Sequence, residues 1–201
     1  MRHIITQHYT IEHQEMFNLT SPINKAFAEK NGFEYISNNV KRCSDRKIWW
    51  EKIAWIIELL DSLEDGSLVV YEDCDSINLS GDLKSALNNG EFGMVQLRGG
   101  LNNIELKPWF NAGVIFMLNT SDVRDFLKRI WLRNDETDET SINNELKALN
   151  KIIGNKQITS LGVEWNCWDN NKHLPDSVYI KSWHGMRYHE KLIAIQNYIK
   201  K

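Results

Sequence analysis

Between Ser67 and Asn78 an apolar run gives way to carboxylates: Leu68, Val69, Val70 and Tyr71, entered through Asp65-Gly66, are followed by Glu72, Asp73, Cys74 and Asp75. A short β-prone run without polar alternation suits a strand buried on both faces, which requires cover on both sides of its sheet. The chemistry then sits at the strand's tip. Asp73 and Asp75 are two apart, so extended backbone sends both side chains to one side, where they can share a hard cation or a polar ligand. The crevice past the carboxyl ends of the strands is where open α/β sheets bind ligands. The competing reading is a plain acidic turn, because Asp and Ser also favour turns.

The rest of the chain supplies the cover that such a strand needs. Ile4 to Tyr9 reads as a first strand. A helix follows, with Thr20-Ser21 as its cap, Pro22 in its first turn and a stop at Asn31-Gly32. Phe33 to Ser37 is a second strand, and Trp49, Ile53, Ile56, Ile57 and Leu60 recur at helical spacing up to Leu63. Strand, helix, strand, helix, strand predicts a largely parallel sheet flanked by helices, in one α/β domain over residues 1–201. Further on, Asp82 to Leu87 reads as a short helix, Gly93 to Leu97 as a strand, and Gly99 to Asn103 as a turn-rich connection. Val114 to Leu118 is another buried strand, and helices are expected over Asp122 to Leu132 and Glu139 to Ile153. Val178 to Ile180 makes a last strand, and Tyr188 to Ile199 a closing helix.

Composition excludes several classes. With 201 residues, 42% hydrophobic and 25% charged, the chain is that of an ordinary globular domain. No apolar run nears the roughly 18 residues of a membrane span, and the first residues lack a signal peptide's long apolar run. Cys43, Cys74 and Cys167 are odd in number and lack CxxC spacing, which fits a reducing compartment better than a disulfide framework. A cytoplasmic location is expected. A net charge of −3 argues against nucleic acid as a general partner.

Several other segments could carry chemistry, each with a structural alternative. Asn111-Ala112-Gly113, between an aromatic pair and a buried strand, could bring backbone against a ligand or form a bulge. His184-Gly185, with Arg187 nearby, could meet a metal and a diphosphate or be a surface loop. Arg46 and Lys52 flank Trp49-Trp50 and could face phosphates or solvent. Asp138 and Glu139 suit a helix N-terminus, with ligand contact as the other reading.

Taken in order, these pieces resemble the metal-dependent glycosyltransferases of the GT-A fold. The family of fungal galactosyl- and mannosyltransferases is similar in Asn24-Lys25, Gly32-Phe33, Arg46, Trp50-Glu51-Lys52-Ile53, Asp73-Cys74-Asp75 and Phe110-Asn111-Ala112-Gly113. A weaker resemblance is to the soluble glycosyltransferase modules of large algal viruses that decorate capsid protein. The resemblance implies a GT-A, Rossmann-like mixed sheet and transfer of a hexose or deoxyhexose from a nucleotide diphosphate sugar, most simply a UDP-sugar, to a glycan or glycoprotein acceptor. It implies Mn²⁺ or Mg²⁺ held by Asp73, Asp75 and His184. Arg46, Lys52, Asp73, Asn111, Ala112, Gly113, Gly185 and Arg187 would contact the donor, and Asp73, Asp75, Asp138 and Glu139 would serve catalysis. The alternatives are a metal-dependent nucleotide-sugar phosphohydrolase and a non-catalytic binding module. Here Glu72 stands where an aromatic or aliphatic residue is commoner in the family, which makes it a possible extra carboxylate. Thr140 stands where the family favours Gln.

Overall fold

The structure, a computed structural model, describes residues 1–97, 109–133, 135, 137–148, 152–153, 156–167, 177–183 and 186–200. In chain order its elements are β1 (His3–His8), α1 (Gln14–Lys30), β2 (Glu34–Asn38), α2 (Trp50–Asp61), β3 (Leu68–Asp73), β4 (Ser76–Asn78), β5 (Phe92–Leu97) and β6 (Trp109–Leu118). They continue with α3 (Ser121–Arg133), α4 (Asp138–Ala148), β7 (Ile152–Ile153), β8 (Lys156–Gln157), β9 (Thr159–Leu161), β10 (Ile180–Ser182) and α5 (Tyr188–Ile199).

Six strands form one sheet in the order β2-β1-β3-β6-β5-β9. β1 runs parallel to β2 and β3, and β5 parallel to β9, while β6 is antiparallel to both its neighbours. The sheet is mixed and mostly parallel, as the alternation of elements predicts. β3 is buried on both faces, as its unbroken apolar run requires. Val69 and Tyr71 enter a cluster with Ile53, Ile56 and Leu60 of α2 and with Phe126 and Ile130 of α3. Leu68 and Val70 enter the opposite cluster with Ile5, Ala28 and Phe33. Burying such side chains stabilises the fold by about 1.5–3 kcal/mol each. α5 closes over α1 through Met16, Trp183, Leu192 and Ile195.

The winding places the site. From β1 the chain crosses to β2 on one side and then to β3 on the other, so winding reverses between β1 and β3, and ligands bind at such reversals. His8 and Asp73 are register partners at the carboxyl ends of these two strands.

Four local readings need correction. Thr20-Ser21 is not a helix cap: α1 begins at Gln14 and Pro22 lies inside it. The stripe Met16, Phe17, Thr20, Asn24 and Ala28 is buried, and that tertiary burial outweighs the local cost of proline. The carbonyl that Pro22 leaves without its helical donor belongs to Asn18, which is exposed to water. The expected helix from Asp82 to Leu87 is instead a series of turns ending in left-handed Asn88 and Asn89. α4 ends at Ala148, and Ile152–Ile153 turns back as β7 against β8. The last strand lies two residues later than expected, at Ile180–Ser182, where it pairs antiparallel with β4. The Gly99 to Asn103 connection lies outside the described residues.

Candidate active site

β3 and β4 are joined by a two-residue turn, Cys74-Asp75, and three buried polar side chains hold it. Gln7 donates from Nε2 to the carbonyls of Asp73 (3.1 Å) and Ser76 (3.4 Å). Thr20 donates its hydroxyl to the Cys74 carbonyl at 2.8 Å, and Asn24 its amide to the Ser76 carbonyl at 2.9 Å. Asn24 Oδ1 also accepts the Asn78 backbone N–H at 2.8 Å. A turn fixed in this way presents its carboxylates in one geometry. Of these three side chains only Asn24 is marked in sequence, by the family resemblance and without a role. Their signal is an uncharged polar side chain on a buried stripe, where it must find a partner.

Glu72 alternates to the far face from Asp73. It is fully buried, and the Asn78 amide reaches both its oxygens at 2.8 and 2.9 Å. It is therefore no extra carboxylate for the cleft. Burial pushes its pKa up to about 8 against the pull of Asn78. A raised carboxyl pKa contributes stability fully below the unfolded value near 4.5, lost as pH rises through about 8. Glu72→Gln, which keeps the neutral shape, should remove this dependence. Relative to the variant, the native chain should lose up to about 1.4 kcal/mol per pH unit between about pH 5 and about pH 8. Paired urea melts across that range check it, and parallel curves would place a charged Glu72 at neutral pH.

On the near face a cleft of about 280 Å³ opens at the β1–β3 reversal, floored by Lys52, Tyr71, Asp73, Asp75 and Asp138. Lys52 is the hub. Its ammonium donates to Asp73 Oδ1 at 3.0 Å and to the Ala112 carbonyl at 3.2 Å, and pairs with Asp138 Oδ2 at 3.2 Å. Burial opposes its charge, but Asp138 and Asp73 raise it above the usual lysine value, so it stays protonated. Asp138 is 4% exposed, and its Oδ2 is held by the Lys52 ammonium. Burial pushes its pKa up, against the pull of Lys52. Asp75, also 4% exposed, pairs with Lys191 of α5.

β6 makes its contribution through a bulge. Its register against β5 jumps between Met94, opposite Ile115, and Val95, opposite Asn111, so Ala112, Gly113 and Val114 have no partner on that side. Of the two sequence readings of Asn111-Ala112-Gly113, the bulge is the one present, and within it the Ala112 carbonyl meets Lys52. Glu139 holds it: one oxygen accepts the Trp109 indole N–H, and the other accepts Ala112 N (3.0 Å) and Asn111 Nδ2 (3.3 Å). Asn111 Oδ1 accepts Gly113 N at 2.9 Å.

A second cavity of about 240 Å³ adjoins the first and shares His8, Thr10 and Ile48 with it; Ile11, Glu12, Asn39, Lys41, Cys43, Arg46 and Glu51 complete its wall. His8 is 7% exposed, and its Nδ1 has no hydrogen-bond partner. Burial pulls its pKa down to about 4, so the imidazole is neutral at neutral pH. Arg46 stacks over Trp131 and donates to its carbonyl at 2.8 Å.

The structure thus brings Lys52, Asp73, Asp75 and Asp138 into one cleft, with Asn111, Ala112 and Glu139 behind it and Arg46 in the adjoining cavity. Arg187 is exposed at the start of α5, where its backbone N–H meets Glu190; the α5 cation in the cleft is Lys191, one turn on. His184 and Gly185 lie outside the described residues. His8, Tyr71 and Lys191 join the cleft without a spacing in the sequence that marks them. Asp73 and Asp75 are hard oxygen donors of the kind Mn²⁺ and Mg²⁺ take, and among the described residues no group of three His, Cys, Asp or Glu forms around them.

Neither a protein-family model nor a curated protein matches the sequence. Solved structures do. A glycosyltransferase involved in glycosylation of the major capsid of PBCV-1 matches over 98% of this chain and all of its own, with a TM-score of 0.72 at 11% identity. The chain has the GT-A fold. An active-site mutant of LgtC matches 97% of this chain and 95% of its own, at a TM-score of 0.54 and 13% identity. The glycosyltransferase GlyE of Streptococcus pneumoniae TIGR4 matches over 97% of this chain but 60% of its own, at 0.55 and 13%. At these identities the likeness is one of fold. Among the described residues no helix is long and apolar enough to cross a membrane.

Proposed function

We propose that this chain is a glycosyltransferase that moves a sugar from a nucleotide diphosphate sugar, most simply a UDP-sugar, to a hydroxyl of a glycan or glycoprotein. The observation that carries the reading is the cleft itself: Asp73, Asp75 and Asp138, interleaved with Lys52 and Lys191, at the winding reversal of a GT-A sheet. Asp73 and Asp75 would hold Mn²⁺ or Mg²⁺, with His184 as the further ligand that the sequence resemblance implies. When bound, the ion supplies positive charge that favours departure of a diphosphate.

The chain's own residues do the rest. The nucleoside is assigned to the adjoining cavity, which the neutral His8 imidazole lines. Lys191, beside Asp75, faces the phosphates with a mobile point charge. Asp138, which lines the cleft beside Lys52, takes a sugar hydroxyl. Lys52 keeps Asp73 and Asp138 apart while neutralising both, and the Glu139 clasp sets the bulge that backs the sugar pocket.

The test is a donor panel of UDP- and GDP-sugars with Mn²⁺, Mg²⁺ or EDTA, read by the phosphorylated product. Release of intact nucleoside diphosphate, lost in EDTA and lowered tenfold or more by Asp75→Asn, is the expected result; that factor corresponds to about 1.4 kcal/mol. Nucleoside monophosphate would instead mean cleavage between the phosphates, and saturable UDP binding without turnover would mean a binding module.

A further inference from the structure

Among the tryptophans of the described residues, Trp49 is the one that the fold leaves open. It is 47% exposed, whereas Trp50, Trp55, Trp165 and Trp183 are 9% exposed or less, and Trp109 and Trp131 are half-buried with polar partners. An indole of that size forfeits a large apolar burial by facing water, and here it faces water at the wall of a charged cleft. Trp49 immediately precedes α2 and already has helical backbone angles, so it lies on the helix face of Lys52, three residues on. That puts the Trp49 backbone about one turn, roughly 5 Å along the helix, from that of Lys52. Ile48 beside it is 42% exposed. Ile48 lines both cavities, whereas Trp49 lines the acidic cleft and not the adjoining one. With the nucleoside in the adjoining cavity and the phosphates at the aspartates, the indole faces whatever enters from solvent to meet the donor sugar.

We propose that Trp49 is the acceptor platform: its indole stacks on the apolar C–H face of a terminal hexopyranose and presents one of its hydroxyls to the donor. This rests on the transfer reading above. In the transfer it serves, the acceptor oxygen bonds to the anomeric carbon and the bond from that carbon to the diphosphate oxygen breaks. The diphosphate keeps the electron pair, and the hydroxyl proton leaves to water. A stacked pyranose needs an aromatic plane rather than an indole N–H, so Phe should substitute in part and Ala should not.

The experiment uses the whole chain with methyl β-D-galactopyranoside and methyl β-D-glucopyranoside as acceptors, on variants whose melting temperatures match the native one. Trp49→Ala should raise the acceptor KM tenfold or more and Trp49→Phe much less, while the Kd for UDP and the release of sugar to water stay as they were. Independently of any donor, the glycosides should shield native indole fluorescence from acrylamide, and this shielding should vanish in Trp49→Phe. If the UDP Kd weakens in step with the acceptor KM, the indole serves the nucleoside and the proposal falls. It falls equally if acceptor KM and shielding are both unchanged. If native protein binds no UDP yet the glycosides still shield Trp49, the platform stands and the transfer reading is what fails.

Discussion

Lys52→Met should cost roughly 3–5 kcal/mol of folding stability and leave no measurable turnover, because it strands the buried Asp138 and the half-buried Asp73 carboxylates against each other. The native ammonium lies 3.0 Å from Asp73 and 3.2 Å from Asp138, with their side chains 29% and 6% exposed. A whole domain of this size is stable by only about 5–15 kcal/mol, so the variant sits near its folding threshold. Stability and chemistry separate in the double variant Lys52→Met/Asp138→Asn. It removes one stranded charge and should regain most of the stability without regaining turnover. Urea melts of both variants decide the matter. A single variant that loses less than about 1 kcal/mol would show that water reaches the pair and that the charges are solvated.

That arrangement also marks how far the chain is legible from its sequence. β3 and α2 follow from one-dimensional pattern: an unbroken apolar run must be covered on both faces, and apolar residues at helical spacing make a covering helix. Their meeting puts Lys52 opposite Asp73, 21 positions along. What pattern does not carry is pairing over distance. Gln7, Thr20 and Asn24 splint the Cys74-Asp75 turn across 52 to 69 positions, and nothing near any of them in sequence marks the partner. β4, β7, β8, β9 and β10 are two or three residues long, too short for a period of two to show. Pro22 obeys a local rule that a buried stripe overrides. On α5 a cation one turn on joins the site: Arg187 reads as a phosphate cation because it follows His184-Gly185, and Lys191, which no local pattern marks, pairs with Asp75.

Glu139 shows why an acidic pair at a helix start needs its two members told apart. Asp138 faces Lys52 across the cleft, whereas both oxygens of Glu139 are taken by Trp109 Nε1, Asn111 Nδ2 and the Ala112 backbone N–H. Its part is to position the bulge, so its loss should be felt first as structure. Glu139→Ala leaves those three donors without their acceptor. At roughly 1 kcal/mol for each, tempered where water enters beside the half-buried Trp109 and Asn111, about 2–3 kcal/mol of stability should go. Freed of the clasp, the bulge has less reason to turn the Ala112 carbonyl onto Lys52, and turnover should fall tenfold or more with donor affinity changed less. Glu139→Gln tests whether the charge or the shape matters, since its amide nitrogen would confront a donor in place of either oxygen, one at the first and two at the second. It should recover part of the stability and little of the turnover. A Glu139→Ala chain as stable as the native one, yet inactive, would show that Glu139 acts on the substrate directly and that the bulge keeps its shape without it.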